Sequence, residues 1–163
     1  MDNVWKKLCS PALEASTREI LFLIIHNKLP IKERMFRVQI TNDPYCDTCM
    51  NVSGCFIRDR EHVFCLCGNI SELWTEIRSL VDPLLARSCS NLDLLTLNFS
   101  SVYFETEVTW LIGAYVAELW SRVENNGKVW GRDELFGFLT FKFKNDQQGA
   151  RLRLKQIPNF SMQ

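Results

Sequence analysis

Between positions 41 and 61 the chain loses every helical or strand period, and from Cys46 to Cys67 it gains cysteine and histidine instead. Asn42, Asp43, Pro44, Asn51, Ser53, Gly54 and Asp59 are turn formers. An irregular stretch of this length inside a folded domain needs something to organise it. Within it, Cys46-Asp47-Thr48-Cys49 is followed after a twelve-residue spacer by His62-Val63-Phe64-Cys65-Leu66-Cys67. A Cys-x-x-Cys turn aims two thiolates at one point, and a His and a Cys arriving from the far end of the loop complete four ligands. That set suits the tetrahedral preference of zinc. The residues assigned are Cys46, Cys49, His62 and Cys67, with Cys65 the competitor for the fourth place. Four protein ligands leave no position open for water, so the expected zinc is one structural ion and not a catalytic one. Cys9 and Cys89 read as core thiols, and His26 as a core or boundary histidine within an apolar helix.

The flanks of this segment have helical period. Ala12–Asn27 carries Leu13, Ile20, Leu21, Leu23, Ile24 and Ile25 around much of its circumference and is expected to lie centrally. Leu29-Pro30 is expected to end it, because the residue before proline avoids the α region. A short basic helix is expected over Ile31–Val38. After the Cys/His segment, Ser71–Leu85 shows i, i+3, i+4, i+7 spacing through Leu73, Trp74, Ile77, Leu80, Val81 and Leu84, with Ser71 as its candidate N-cap and Pro83 near its end. Leu92–Leu97 reads as a short strand or helical turn. Glu105–Val123 has the cleanest single stripe: Val108, Leu111, Ile112, Tyr115, Val116, Leu119, Trp120 and Val123. A last helix is expected over Arg132–Phe143. The fold class is therefore mostly α: a small helical domain with a zinc-organised loop between helices, then a C-terminal helical segment. The expected division is a zinc-binding region over 1–88 and a helical region over 89–163 packed on it as one unit.

Charge argues about partners. Nineteen basic residues balance nineteen acidic ones. Residues 1–40 hold seven basic and four acidic side chains, 41–127 five and twelve, and 128–163 seven and three. Two mildly basic ends flank an acidic middle, a pattern compatible with nucleic acid or with ordinary solvated helix faces. The N-terminus has no apolar signal region, and the longest strictly apolar run, Ile20–Ile25, is far too short to span a bilayer. The expectation is an intracellular protein of nucleus or cytoplasm with reduced thiols, no membrane partner and no small-molecule substrate. No nucleophile–base pair or carboxylate pair stands out, so the chain is not expected to be an enzyme.

The run from Leu21 to Trp74 resembles the reverse-transcriptase zinc-binding domain found near the C-termini of LINE-type, non-LTR retrotransposon polyproteins. The residues that carry the likeness are Leu29-Pro30, Arg34 in a basic helix, Pro44 through Cys49, Glu61-His62 through Cys67, and Trp74. The resemblance covers about residues 18–85. Less specifically it extends to Trp110-Leu111-Ile112-Gly113, Phe136-Gly137-Phe138-Leu139 and Gly149-Ala150-Arg151. It favours Cys67 over Cys65, because the family leaves four residues between His and Cys. Gly68 departs from the family's usual proline or polar residue after the last cysteine. No Tyr-x-Asp-Asp-like turn is present, so the polymerase centre is not on this chain. The resemblance implies a retroelement piece or a host gene derived from one, with a non-catalytic accessory role in handling RNA or DNA of broad sequence. Lys28, Lys32, Arg34 and Arg37 would meet the phosphates, joined by Lys142, Lys144, Arg151, Arg153 and Lys155. The alternative is a protein–protein interaction module of the same origin that binds no nucleic acid.

Overall fold

The structure is a computed structural model that describes residues 2–50, 56–68, 70–124, 131–145, 152, 153 and 156. The described residues are mostly helical. Their one strand-like feature is an isolated antiparallel bridge between Tyr45 and Ile57. The helices are α1 (Asp2–Leu8), α2 (Ala15–Ile25), α3 (Lys32–Arg37), α4 (Asp47–Met50), α5 (Ser71–Val81), α6 (Asn91–Leu95), α7 (Glu105–Glu124) and α8 (Arg132–Asn145).

The central helix is α7 and not α2. From Glu107 to Val116 every side chain on α7 is buried, so this helix is wrapped on all sides. Only Thr17, Leu21 and Ile24 of α2 are fully buried, and Phe22 is exposed. The apolar residues of α2 spread widely around the helix, but one side still faces water. The close approach of α2 to α7 depends on Gly113. A Cβ at that position would lie 2.7 Å from Leu13 Cδ2 and 2.9 Å from Thr17 Cγ2. α5 packs on α7 and α8, and its stripe of Leu73, Trp74, Ile77, Leu80 and Val81 is buried as its spacing requires. Ile70, not Ser71, occupies the N-cap of α5, with no side-chain cap. Pro83 ends the regular α5 helix at Val81 and sits in a 3₁₀ turn, Asp82–Leu84. The Leu92–Leu97 segment is a helical turn, started by a capping box between Ser90 and Asp93.

Two features have no signal in hydrophobic periodicity. α1 is short, and its Lys7 is buried. The three ammonium hydrogens of Lys7 are matched by three acceptors: Leu97 O at 3.0 Å, Phe99 O, and Glu105 Oε1 at 3.1 Å. Three helices also stop without glycine. Asn27, Gln39 and Leu97 have φ of 52°, 62° and 58°. The paired bonds Lys28 N–H to Leu23 O with Asn27 N–H to Ile24 O, Ile40 to Met35 with Gln39 to Phe36, and Asn98 to Asp93 with Leu97 to Leu94 close three Schellman motifs. α2 therefore stops at Ile25, with Asn27 as the left-handed residue of its closing motif, before the Leu29-Pro30 pair can act. Leu97 is fully buried, and burial worth ~2 kcal/mol offsets the ~1–2 kcal/mol cost of its left-handed backbone.

Candidate metal centre

Cys46 and Cys49 are held by a short antiparallel contact followed by one turn of helix. Cys46 N–H donates to Phe56 O at 2.9 Å and Arg58 N–H to Pro44 O at 2.8 Å, flanking the Tyr45–Ile57 bridge. α4 then carries Cys49 back over Cys46. Lys32 of α3 reaches across to Asp47 at 2.7 Å and Asp43 at 3.5 Å, and Glu33 N–H donates to Arg58 O at 3.3 Å. The Asp47 hydrogen bond holds the Lys32 ammonium above its ordinary pKa, and the same bond holds the Asp47 carboxyl below its own. The pair is largely solvated, so it positions the loop more than it stabilises it.

The second pair comes from a π-helical turn, His62–Leu66, whose closing bond runs from Cys67 N–H to His62 O at 2.8 Å. This geometry explains the spacing. In an α-helix, residues five apart lie about 140° around the axis. The wider π turn brings them toward one side. Asp59 starts the turn, its carboxylate accepting from His62 N–H at 2.8 Å. The turn is built into the core. Phe64 is fully buried, and Tyr115 of α7 donates from its hydroxyl to Phe64 O at 2.8 Å. Burial keeps the Tyr115 phenol well above its ordinary pKa, so it remains a donor. Arg60 donates to Ile24 O at 2.6 Å and to Ile25 O at 3.3 Å at the C-terminal end of α2. Asn91 joins Glu61 to Trp74, donating to Glu61 Oε1 at 3.3 Å and accepting from the Trp74 indole at 2.8 Å.

These two arms bring Cys46, Cys49, His62 and Cys67 together, all buried, with their ligand atoms within 4.8 Å of one another. Cys46 Sγ lies 3.9 Å from Cys67 Sγ, Cys49 Sγ 3.8 Å from Cys67 Sγ, and Cys49 Sγ 3.4 Å from His62 Nε2. The thiols are unbridged, since a disulfide needs about 2.05 Å. The Phe56 ring stacks on the imidazole at 5.9 Å. This buried Cys₃His group could hold a metal ion. No family model, no curated protein and no solved structure matches the chain.

Cys65 is buried but lies outside the group. Its surroundings differ from those of the four. Burial, reinforced by the Glu61 carboxylate, drives the Cys65 thiol far above its ordinary pKa. Burial also pushes the Cys46 thiol up, but the backbone N–H groups of Cys49 and Thr48 and the neighbouring thiols outweigh it and leave it below its ordinary value. Burial lowers His62, favouring the neutral ring that a metal requires. Cys89 is buried as expected. Cys9 is exposed, because it falls in the turn that follows α1, and Cys55 lies outside the described residues.

The four basic residues near the metal arms have different surroundings. Lys28 is exposed, with no carboxylate partner among the described residues. Lys32 is tied to Asp43 and Asp47. Arg34 is partly buried and donates to Asn27 O at 3.3 Å, so it helps cap α2. Arg37 is exposed and pairs with Glu33 one turn back. Of the other basic residues, Lys142 pairs with Glu14 and Arg153 with Glu107, whereas Arg151 and Lys155 lie outside the described residues. No described helix is long and apolar enough to cross a membrane.

Proposed function

We propose that the chain is a non-catalytic accessory module, related to the reverse-transcriptase zinc-binding domain it resembles, in which Cys46, Cys49, His62 and Cys67 hold one structural zinc ion and the fold serves to bind nucleic acid. The closed Cys₃His group carries the zinc reading. A tetrahedron with zinc–sulfur bonds of ~2.3 Å and a zinc–nitrogen bond of ~2.0 Å has sulfur–sulfur edges of about 3.8 Å and a sulfur–nitrogen edge of about 3.5 Å. The corresponding separations are 3.8–3.9 Å and 3.4 Å. Four buried protein ligands leave no place for a reacting water, which suits a structural ion. The ion would tie the loop carrying Cys46 and Cys49 to the core-anchored turn carrying His62 and Cys67.

The nucleic-acid part rests on the resemblance and on exposed cations near the metal arms. Because Lys32, Arg34 and Arg37 already have partners within the chain, few phosphates would be neutralised, and the slope of log K against log salt would be shallow, about −1 to −2. A second reading, docking of a protein, is favoured by one observation. Phe36, Val38, Ile40, Tyr45, Phe56 and Ile57 are all exposed on α3, the turn after it and the bridged loop. Elemental analysis of purified protein should find one zinc per chain; well under one removes the metal reading. Titration with single- and double-stranded RNA and DNA at two salt concentrations tests the partner. Absence of binding to all four transfers the function to the protein-docking surface.

A further inference from the structure

A second surface feature lies where α1 meets α2. Trp5 of α1 meets Phe22 and His26 of α2, with ring centroids 6.4 Å and 5.7 Å from Trp5 and 4.4 Å between Phe22 and His26. All three rings remain exposed: Trp5 keeps 38% and Phe22 45% of its surface in water. The indole N–H of Trp5 has no hydrogen-bond partner among the described residues. Such a cluster is poor value as core packing, because much of its apolar area faces solvent. Two cations accompany it along the chain. Arg18, Phe22 and His26 are four residues apart on α2 and so share one helix face. Lys28 follows at the Schellman turn. Arg18 and Lys28 are both exposed, and no described carboxylate pairs with either. Glu19, one turn before Phe22, is the acidic residue nearest in sequence to the ring pair on α2.

We propose that the Trp5–Phe22–His26 cluster, with Arg18 and Lys28, is a stacking site for unpaired bases of single-stranded nucleic acid. This deepens the nucleic-acid reading above and rests on it. The chemistry follows from what is exposed. Aromatic faces accept any base by stacking, so they bind without reading sequence, and flanking cations hold the backbone. The bases of a duplex are already stacked on one another and have no face to offer. The site should therefore prefer single strands to duplexes of equal length. It also moves the expected contact surface from α3, where the cations are engaged by the chain's own groups, to the α1–α2 face, where they are not.

The test is fluorescence anisotropy on the full, zinc-loaded chain with labelled 20-nucleotide single strands of RNA and of DNA and a duplex of the same length, at two salt concentrations. The parent should bind single strands more tightly than duplex. Trp5→Leu keeps apolar bulk and removes the π face; it should weaken single-strand binding about 10- to 100-fold while leaving the salt slope unchanged. His26→Ala leaves α1 itself unaltered, should weaken single-strand binding in the same direction and guards against a folding defect in the first variant. Arg18→Glu with Lys28→Glu should make the salt slope shallower by about 0.7 per lost phosphate contact. Glu19→Gln should tighten binding. Unchanged helicity and zinc content qualify each variant. If the parent binds but Trp5→Leu and His26→Ala stay within twofold of it, the stacking site is wrong and the broader nucleic-acid reading survives. If the parent binds none of the probes, both fall, and the exposed rings belong to a protein contact.

Discussion

Replacing Gly113 by alanine sets two well-defined effects against each other. In an ordinary helix interior the change is favourable by about 1 kcal/mol, because glycine carries the larger entropy loss on folding. At the α2–α7 crossing the added methyl would lie 2.7 Å from Leu13 Cδ2, 2.9 Å from Thr17 Cγ2 and 3.6 Å from Leu21 Cδ1. Carbon atoms in good contact sit roughly 3.5–4.0 Å apart, so the first two contacts must open by at least about 0.6–0.8 Å. The Leu13 methyl ends a flexible side chain and can turn, though it is buried. Thr17 Cγ2 hangs directly from a β-branched carbon with a stiff χ1 and is also buried, so relief there requires moving α2. Overpacking of this kind costs about 1–3 kcal/mol. With two clashes the upper half of that range applies, and after the propensity gain the net destabilisation should be about 1–2 kcal/mol. Urea unfolding followed by circular dichroism would register it as a lower midpoint at constant slope. Adding Thr17→Ser, which deletes the clashing methyl and keeps the hydroxyl, should recover part of the loss in a double-mutant cycle. If Gly113→Ala alone is more stable than the parent, the helices are not in close contact at this point and the packing account is wrong.

The metal assignment predicts opposite behaviour for two neighbouring cysteines: Cys67→Ser should leave well under one zinc per chain, whereas Cys65→Ser should retain one, with elemental analysis as the readout. Tyr115→Phe removes the donor to the buried Phe64 carbonyl and should cost about 1–3 kcal/mol in a denaturation experiment while zinc is retained. Ser90→Ala breaks the capping box of α6 and should cost about 1 kcal/mol. The Ser90 hydroxyl, ahead of other contacts, holds the Asp93 carboxyl below its ordinary value of 3.8. A depressed folded-state value means that this contribution is complete above that ordinary value and is lost as pH falls below it. The variant's acid-unfolding curve should therefore be flatter than the parent's in that region.

The candidate Cys₃His group was legible in the sequence, down to the choice between Cys65 and Cys67, because metal chelation constrains residue type and spacing directly: two thiols in one turn, then His and Cys from the far end of an unpatterned loop. The stripes of α5 and α7 were legible because burying one face forces a 3.6-residue period. What periodicity cannot convey is how many sides of a helix will be covered. That depends on which neighbours arrive, and so α7, not α2, became the centre. Ring placement at Trp5, Phe22 and His26 likewise depends on two helices meeting, and no local pattern encodes it. Periodicity placed three helix ends near Asn27, Val38 and Leu97 but not the Schellman motifs that close them, because the left-handed positions are filled by Asn27, Gln39 and Leu97 and not by glycine; at Leu97 it is tertiary burial that offsets the backbone cost. The π turn has the same origin. Nothing in His62–Leu66 demands it locally, but the Tyr115 hydroxyl on Phe64 O and the Arg60 contacts with α2 fix the turn from outside. The sequence alone thus determined which atoms could coordinate a metal. Only the packing of α2, α5 and α7 around that turn decided that Cys67 would face Cys46, Cys49 and His62 and that Cys65 would be buried away from them.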